Sequence, residues 1–226
     1  MLELAVASLL FLGIHVASST GLRARMVRVL GENGFRGLFS ILSIGAIFWM
    51  VQAYNRAPVL ESFWSFGLWA RLLALAVMVI AFFLVLCGLS VPNPTTAGFE
   101  KAMAAPEPAR GILRITRHPF LWGVGLWALV HLLNNGDPAS VIFFGSLALL
   151  SFGGTLLVDR KKRRTFGEDW HKFADVTSNL PFAAILAGRN HMSFSEIGWW
   201  RLLLSVVLFV AMLSVHARLF GVTPLP

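Results

Sequence analysis

Residues 66–91 read FGLWARLLALAVMVIAFFLVLCGLSV, with Arg71 as the only charge in the run. A helix that crosses a bilayer needs about 20 consecutive, predominantly apolar residues. This run exceeds that length. Five further apolar runs lie at 2–20, 35–54, 119–133, 138–158 and 199–220. They predict an all-α integral membrane bundle of about six transmembrane helices. Composition agrees: 57% of the 226 residues are hydrophobic and 13% are charged, whereas a soluble domain averages about a quarter charged.

The connections sharpen the pattern. The run at 119–133 is the shortest, and its helix is expected to begin at Pro119 or upstream near Arg114. Proline suits a first helical turn, where its missing N–H costs nothing. Asn134-Asn135-Gly136-Asp137-Pro138 is a turn signal, so the fourth and fifth spans are read as an antiparallel hairpin. The chain opens Met1-Leu2-Glu3 without the basic region of a cleaved signal peptide. The first run is therefore expected to remain as a membrane helix. No repeat or low-complexity segment interrupts the sequence, and residues 1–226 are read as one domain.

Charge gives an orientation. The formal net charge is +8, which in a soluble chain would raise nucleic-acid binding. Here sixteen of the nineteen Lys and Arg residues fall in the segments after the first, third and fifth runs or, as Arg36 and Arg201, just beyond them. The positive-inside rule puts those segments in the cytoplasm. The expectation is a bacterial inner-membrane protein with both termini periplasmic, a lipid bilayer as its main partner and no nucleic acid. Residues 21–30 mix Arg23, Arg25 and Arg28 with Leu22, Met26, Val27 and Leu30. That mixture predicts either a short amphipathic helix at the anionic inner leaflet or a plain basic loop. Residues 91–108, with four prolines, are expected to be irregular, and 174–190 to lie along the interface.

Six histidines are the main chemical candidates. His15 and His131 fall inside apolar runs, where an ionisable residue is read as functional by default. A neutral imidazole can ligate haem iron; it can equally make an interhelical packing hydrogen bond. His118, before Pro119, suits a ligand, a helix-end cap or an anion site. His171 and His191 read as solvated, and His216 as interfacial. Cys87 is expected to be a buried apolar residue. Trp199-Trp200 fits an aromatic belt, while Trp122 and Trp127 suit packing or the lining of a pocket. Phosphate-loop, HExxH and GxSxG motifs are absent from the sequence.

Three motifs carry a family resemblance. One is Phe11-Leu12-Gly13-Ile14-His15 followed by Leu22-Arg23 and the stretch from Leu30-Gly31-Glu32 to Phe39-Ser40. The others are Ile115-Thr116-Arg117-His118-Pro119, continuing through Trp122-Gly123 to His131, and the turn Asn134-Asn135-Gly136-Asp137. Over roughly 1–190 the chain resembles the NnrU family of bacterial membrane proteins and the related 15-cis-zeta-carotene isomerases. The resemblance implies a link to denitrification and nitric oxide metabolism, or cis–trans chemistry on a polyene at the iron of haem b. It implies a lipidic polyene or a small gaseous ligand as partner. It makes His15 and His131 the expected haem ligands, with His118 as the alternative partner of His15 and Arg117 beside the cofactor. The isomerases carry a further histidine after the second span; here Gln52-Ala53-Tyr54-Asn55-Arg56 has none. Tyr54 stands there as an oxygen ligand or an interfacial residue.

Counted along straight helices, His15 is about 8 Å and His131 about 18 Å from the inner ends of their spans. Ligands on opposite faces of one iron need nitrogens about 4 Å apart, at about 2 Å per bond. His118 matches His15 better in depth.

A second resemblance supplies a rival. Arg117-His118-Pro119, Asp159-Arg160, Phe166-Gly167-Glu168-Asp169-Trp170 and Pro181 are similar to the C-terminal half of isoprenylcysteine and phospholipid methyltransferases. That implies an S-adenosylmethionine site at the cytoplasmic face, although the acidic pair of that family is represented only by Asp159. A third reading is a non-catalytic assembly or transport factor.

Overall fold

The computed structural model describes residues 1–225. Nine α-helices follow in chain order: α1 (Leu2–Ala17), α2 (Gly21–Asn55), α3 (Leu68–Ser90), α4 (Ile112–Ile115), α5 (Pro119–Asn134), α6 (Pro138–Asp175), α7 (Ala183–Leu186), α8 (Phe194–Ile197) and α9 (Trp199–Phe220). A 3₁₀ turn at Glu100–Ala104 is the only regular element between α3 and α4. There is no strand among the described residues. All six apolar runs are helical. Of these, α2, α3, α6 and α9 are long and apolar enough to cross a membrane. The shorter α1 and α5 have 16 residues each, about 24 Å of rise.

The helix starts follow from local chemistry. The Thr20 hydroxyl accepts from the Leu22 N–H at the start of α2. Asp137 caps α6 by accepting from Ser140 N at 3.0 Å, with Pro138 in the first turn. Pro119 opens α5 as the sequence predicts. It also explains why α4 and α5 are separate. The residue before a proline is pushed out of the helical region, and His118 sits at φ −122°, ψ 51° after an extended Thr116. The helix at 119 therefore does not extend upstream to Arg114. In α2, Gly31 adopts φ 71°, ψ 167°, a conformation that suits a residue without Cβ. That break sets off 21–30 as a helical arm, with Arg25 and Arg28 exposed.

The long helices adjoin in the order α2, α1, α6, α5, α3, α9, with α2 also touching α6. Their outer faces are apolar: Leu149 is 65% exposed and Leu203 55%. Large apolar side chains facing outward on successive helices mean that lipid, not water, is the surrounding medium. Cys87 is fully buried among Leu84, Ile112 and Leu113.

The closest seam lies between α3 and α5. A Cβ on Gly123 would come within 2.8 Å of the Ala81 carbonyl oxygen, and one on Gly88 within 2.6 Å of the Phe120 nitrogen. Small residues at such crossings are how membrane helices gain van der Waals contact when lipid offers no hydrophobic drive.

Residues 174–190 dock on the start of α5 and leave Leu180, Phe182 and Leu186 exposed. Thr177 is fully buried and Ser178 is 5% exposed. The segment is stitched to 114–117 by four bonds: Arg117 N to Ser178 O (2.9 Å), Phe182 N to Ile115 O (2.8 Å), Thr116 Oγ1 to Asn179 O (2.7 Å) and Asn190 Nδ2 to Arg114 O (3.1 Å). The carbonyls around the break before Pro119 lack helical partners, and this segment supplies them. Beside it, Arg114 grips Glu196 of α8 through Nε–Oε2 (2.8 Å) and Nη2–Oε1 (2.9 Å).

Two outcomes are expected. Gly123→Leu should overpack the α3–α5 seam at a cost of about 1–3 kcal/mol, while Gly145→Ala, with nothing within 4 Å, should not. Thermal melts in detergent compare them, and equal melting points would refute the close seam. Hydrogen bonds from Arg114, opposed by burial and aided by the Gly111 N–H, hold the Glu196 carboxyl down from 4.5 to about 2. A depressed carboxylate stabilises fully above its unfolded value and loses that contribution as pH falls toward its folded one. Wild-type melting should therefore drop between pH 5 and pH 2 by more than that of Glu196→Gln.

Candidate functional sites at the two ends of the bundle

At the basic end, the α5 N-terminus and α6 meet through charge. Arg117 donates to Asp159 from Nε (3.1 Å to each carboxylate oxygen) and from Nη2 (2.6 Å to Oδ2). His118 donates from Nε2 to Asp159 Oδ1 at 2.7 Å. The His118 side chain is 1% exposed. Trp170 lies within 5.5 Å of the Arg117 guanidinium and is fully buried. Asn93 and Thr95 hold the Arg117 carbonyl at 3.0 and 3.1 Å. This is a closed network. The Arg117 fork is occupied by Asp159, and the His118 Nε2 proton goes to the same carboxylate. A carboxylate ligand that used the Arg117 fork would have to displace Asp159.

The opposite end holds an open site. A cleft of about 270 Å³ runs between α5 and α9, both of which pack on α3. Its walls include Met78, Phe82, His131 and Phe209, with Arg71 from the first turn of α3. His131 is fixed from several sides. Its Nδ1 donates to the Trp127 carbonyl at 2.8 Å; a carbonyl only accepts, so the proton sits on Nδ1 and Nε2 carries the lone pair of the neutral ring. Trp127 packs at 4.9 Å, and Phe144 stacks at 5.0 Å and 27°. The end of α5 is capped around it. Asn135 Nδ2 donates to the His131 carbonyl, Asn134 Nδ2 to those of Val130 and Ala70, and Trp64 Nε1 to those of Leu132 and Leu133. In a bilayer such terminal carbonyls have no water to turn to.

His15 lies elsewhere. Its Nδ1 donates to the Phe11 carbonyl at 2.8 Å, and its ring meets Phe39 of α2 at 5.3 Å. An apolar cavity of about 190 Å³ adjoins it, between Ile14, Ser18 and the 21–30 arm. Helix register sets its level against His131. Glu3 reaches Trp49 Nε1 (3.0 Å) and Arg56 (3.7 Å), so α1 begins level with the end of α2. Tyr54 bonds Ser140 at 2.9 Å, and Phe144, against His131, is one turn beyond Ser140. From Phe39 to Tyr54 is about 22 Å of helix, so the two imidazoles differ in level by roughly 16 Å. Helix α6 stands between α1 and α5. The structure thus does not bring His15 and His131 onto one metal. His118, 13 residues before His131 on the same helix, is about 20 Å from it.

The sequence reading missed two residues of the cleft, His216 and Arg71. His216 of α9 lines it together with His131, as do Val222 and Pro224 beyond the helix. Tyr54 serves as a strut between α2 and α6, packed on Phe143 at 4.7 Å. Among the described residues no group of three or more His, Cys, Asp or Glu side chains is placed to hold a bare metal ion.

The family model described as "NnrU protein" matches residues 3–224. The chain belongs to the NnrU family. Among curated proteins it is similar to the chloroplastic 15-cis-zeta-carotene isomerase of Arabidopsis thaliana, 29% identical over 205 residues, covering 80% of this chain and 50% of that protein. It is similar also to the isomerase of the same name from Zea mays, 27% identical over 206 residues, covering 82% of this chain and 50% of that protein. The chain thus spans about half the length of the curated relatives it matches. No solved structure matches it. For this NnrU-family chain, the motif Arg117-His118-Pro119 forms the ionic joint of the bundle, and His131 belongs to the cleft.

Asp159→Ala should strand two buried partners, a loss of about 3–5 kcal/mol. Chemical denaturation of the purified protein reads this directly; a loss below about 1 kcal/mol would show that the joint carries little of the fold.

Proposed function

We propose that this NnrU-family protein binds haem b in the cleft between α5 and α9 and carries out carotenoid-isomerase-like cis–trans chemistry on a lipidic polyene there. The observation that carries the reading is His131. Its Nδ1 proton is committed to Trp127 O, which leaves Nε2 as a neutral donor for iron; a backbone carbonyl orienting the other ring nitrogen is the usual second shell of a ligating histidine. The cleft, about 270 Å³ with walls of Met78, Phe82 and Phe209, is smaller than the usual small-ligand pocket of about 300–1,000 Å³, so α9 has to move outward from α5 to admit a porphyrin. The free imidazole nitrogen suits haem iron, and the apolar walls suit a hydrocarbon chain.

Bound there, haem iron would supply an electrophilic centre at which a conjugated double bond can rotate without net redox change. The chain's own residues do the rest. His131 holds the metal, with its ring fixed by Trp127 and Phe144. Met78, Phe82 and Phe209 exclude water and take the apolar substrate from the membrane. Arg71 offers a cation toward an acidic group of the porphyrin. The names of the two curated relatives favour a polyene. A small gaseous ligand such as nitric oxide, linked to denitrification, is the second reading; it would use the same His131. The occupied Arg117 and His118 weigh against the methyltransferase reading. Charge asymmetry supports a bacterial inner membrane with the basic end cytoplasmic and the chain ends periplasmic.

The test has two stages. Detergent-purified protein from haem-replete cells should show a Soret band, and a colourless preparation would reject the haem reading. Cells accumulating 15-cis-zeta-carotene should convert it to the 15-trans isomer on expression, read by pigment chromatography. A haem-loaded protein that leaves the pigment unchanged but shifts its Soret band with nitric oxide would favour the gas reading.

A further inference from the structure

We propose that, whatever the cleft binds, the basic end carries a site for one anionic phospholipid, with the lipid phosphate at Lys161 and part of one acyl chain in the cavity beneath the 21–30 arm. A charge imbalance, an adjoining apolar space and the shape of the arm carry it.

At the basic end the arm comes beside α6. Arg23, Arg36, Lys161 and Lys162 there share one field with only two carboxylates, Glu32 and Glu100. Glu32 accepts from Arg23 and, at 3.1 Å, from Arg36, while Glu100 takes Lys162 Nζ at 3.1 Å. Lys161 is left over. Among the described residues its ammonium has no ion-pair partner, yet the residue is half-buried. Burial works against its charge, as do Arg23 and Lys162; Glu32 and Glu100 offset only part of this. A cation drawn partly out of water among like charges gains most from an added anion. Lys161 is also three residues past the apolar run 138–158, where a lysine stem extends along apolar surface and its ammonium reaches headgroup level.

The apolar space begins at the same place. The cavity of about 190 Å³ is walled by Ile14 and Ala17 of α1, Leu22 and Met26 of the arm, and Leu38 and Leu42 of α2. Arg23 lines it too and acts on Lys161, so charge and cavity share a rim. A soluble anion would use only the cation, and a neutral hydrocarbon only the cavity. A phospholipid with net negative charge uses both, and basic pockets between membrane helices are places where such headgroups bind. The cavity takes part of one chain; the rest of the lipid stays in the leaflet.

The arm completes the site. The break at Gly31, φ 71°, lets Leu22 and Met26 face the cavity while Arg25 and Arg28 stay exposed. That is the division of faces of a helix lying in the interface plane. Glu32, held by Arg23 and Arg36, fastens the root of the arm.

The experiment is native mass spectrometry of the full-length protein in detergent, titrated with dioleoylphosphatidylglycerol, dioleoylphosphatidylcholine or glycerol 3-phosphate. Phosphatidylglycerol should be retained as a single adduct about fivefold more tightly than phosphatidylcholine, and glycerol 3-phosphate should not displace it. Lys161→Gln should abolish that preference. Ala17→Leu, which fills the cavity, should lose the tight adduct. Arg110→Gln removes an exposed cation near Glu196 and should match wild type. If Lys161→Gln does not fold, the wild-type lipid comparison and Ala17→Leu decide the matter. Equal retention of the two lipids, or no adduct at all, overturns the proposal. So does a folded Lys161→Gln protein with the wild-type preference, or an Ala17→Leu protein that keeps the tight adduct. Displacement by glycerol 3-phosphate overturns it in favour of a soluble-anion site. None of these results bears on the haem reading, which the Soret band tests separately.

Discussion

Asp159 is the joint on which the bundle depends. It is the carboxylate that meets both Arg117 and His118, and it does so from a helix whose preceding turns are apolar. Taking these charges out of water is costly, and the cost is repaid only if geometry is good and the remaining donors are satisfied. Here the fork of Arg117 is met by both oxygens, His118 adds a 2.7 Å bond, and the Arg117 carbonyl is held by Asn93 and Thr95. The residues before Pro119 cannot continue a helix, so their polar backbone groups need partners. Residues 178–190 are drawn in to supply them. The ionic joint and the stitched segment thus solve one problem, that of starting a buried helix at a proline.

That joint fixes where α5 begins, and the glycine seam fixes how it lies. Gly88 and Gly123 let the backbones of α3 and α5 approach closely. With its start set by Asp159 and its side set by α3, α5 presents its last turn at the far end of the bundle. His131 is in that turn. Its orientation follows from Trp127 one turn earlier and from Phe144 across the hairpin that Asp137 and Pro138 begin. The far-end geometry is therefore a consequence of the basic-end chemistry, transmitted along 16 residues of rigid helix.

Much of this was legible in the residues. Six apolar runs predict six helices because backbone groups in lipid can be satisfied only within a helix or a closed barrel. Pro119 and the Asn134–Pro138 turn give the start of α5 and the hairpin, because their effects are local. The NnrU motifs are local strings too. What the sequence hid is what depends on neighbours. That Asp159 is the partner of Arg117 requires knowing that α5 and α6 cross there. That Thr177 and Ser178 are buried requires knowing that the break at 116–118 has orphan carbonyls. The expected pairing of His15 with His131 came from the family resemblance, which carries motif positions and not their levels in the bundle. In a row of helices with α6 between α1 and α5 they have different neighbours. His216 read as interfacial because it lies near a helix end, and nothing within α9 reveals that Gly221 hooks Val222 back onto it.

The two ends divide the labour according to what each charge can tolerate. Guanidinium and carboxylate need each other when desolvated, so Arg117 and His118 are spent on Asp159. An imidazole is different: it can be buried neutral, with one nitrogen satisfied by a carbonyl of its own helix end and the other left open at small cost. His15, His131 and His216 all use this device, each with Nδ1 on a backbone carbonyl four to six residues away. A membrane protein that must keep a donor available inside an apolar cleft has few other residues to choose from. A free carboxylate or ammonium would demand a partner and close the site, as Arg117 and Asp159 do. The chemistry of the cleft therefore follows from the medium, and the open nitrogen of His131 is what the closed joint at the other end positions.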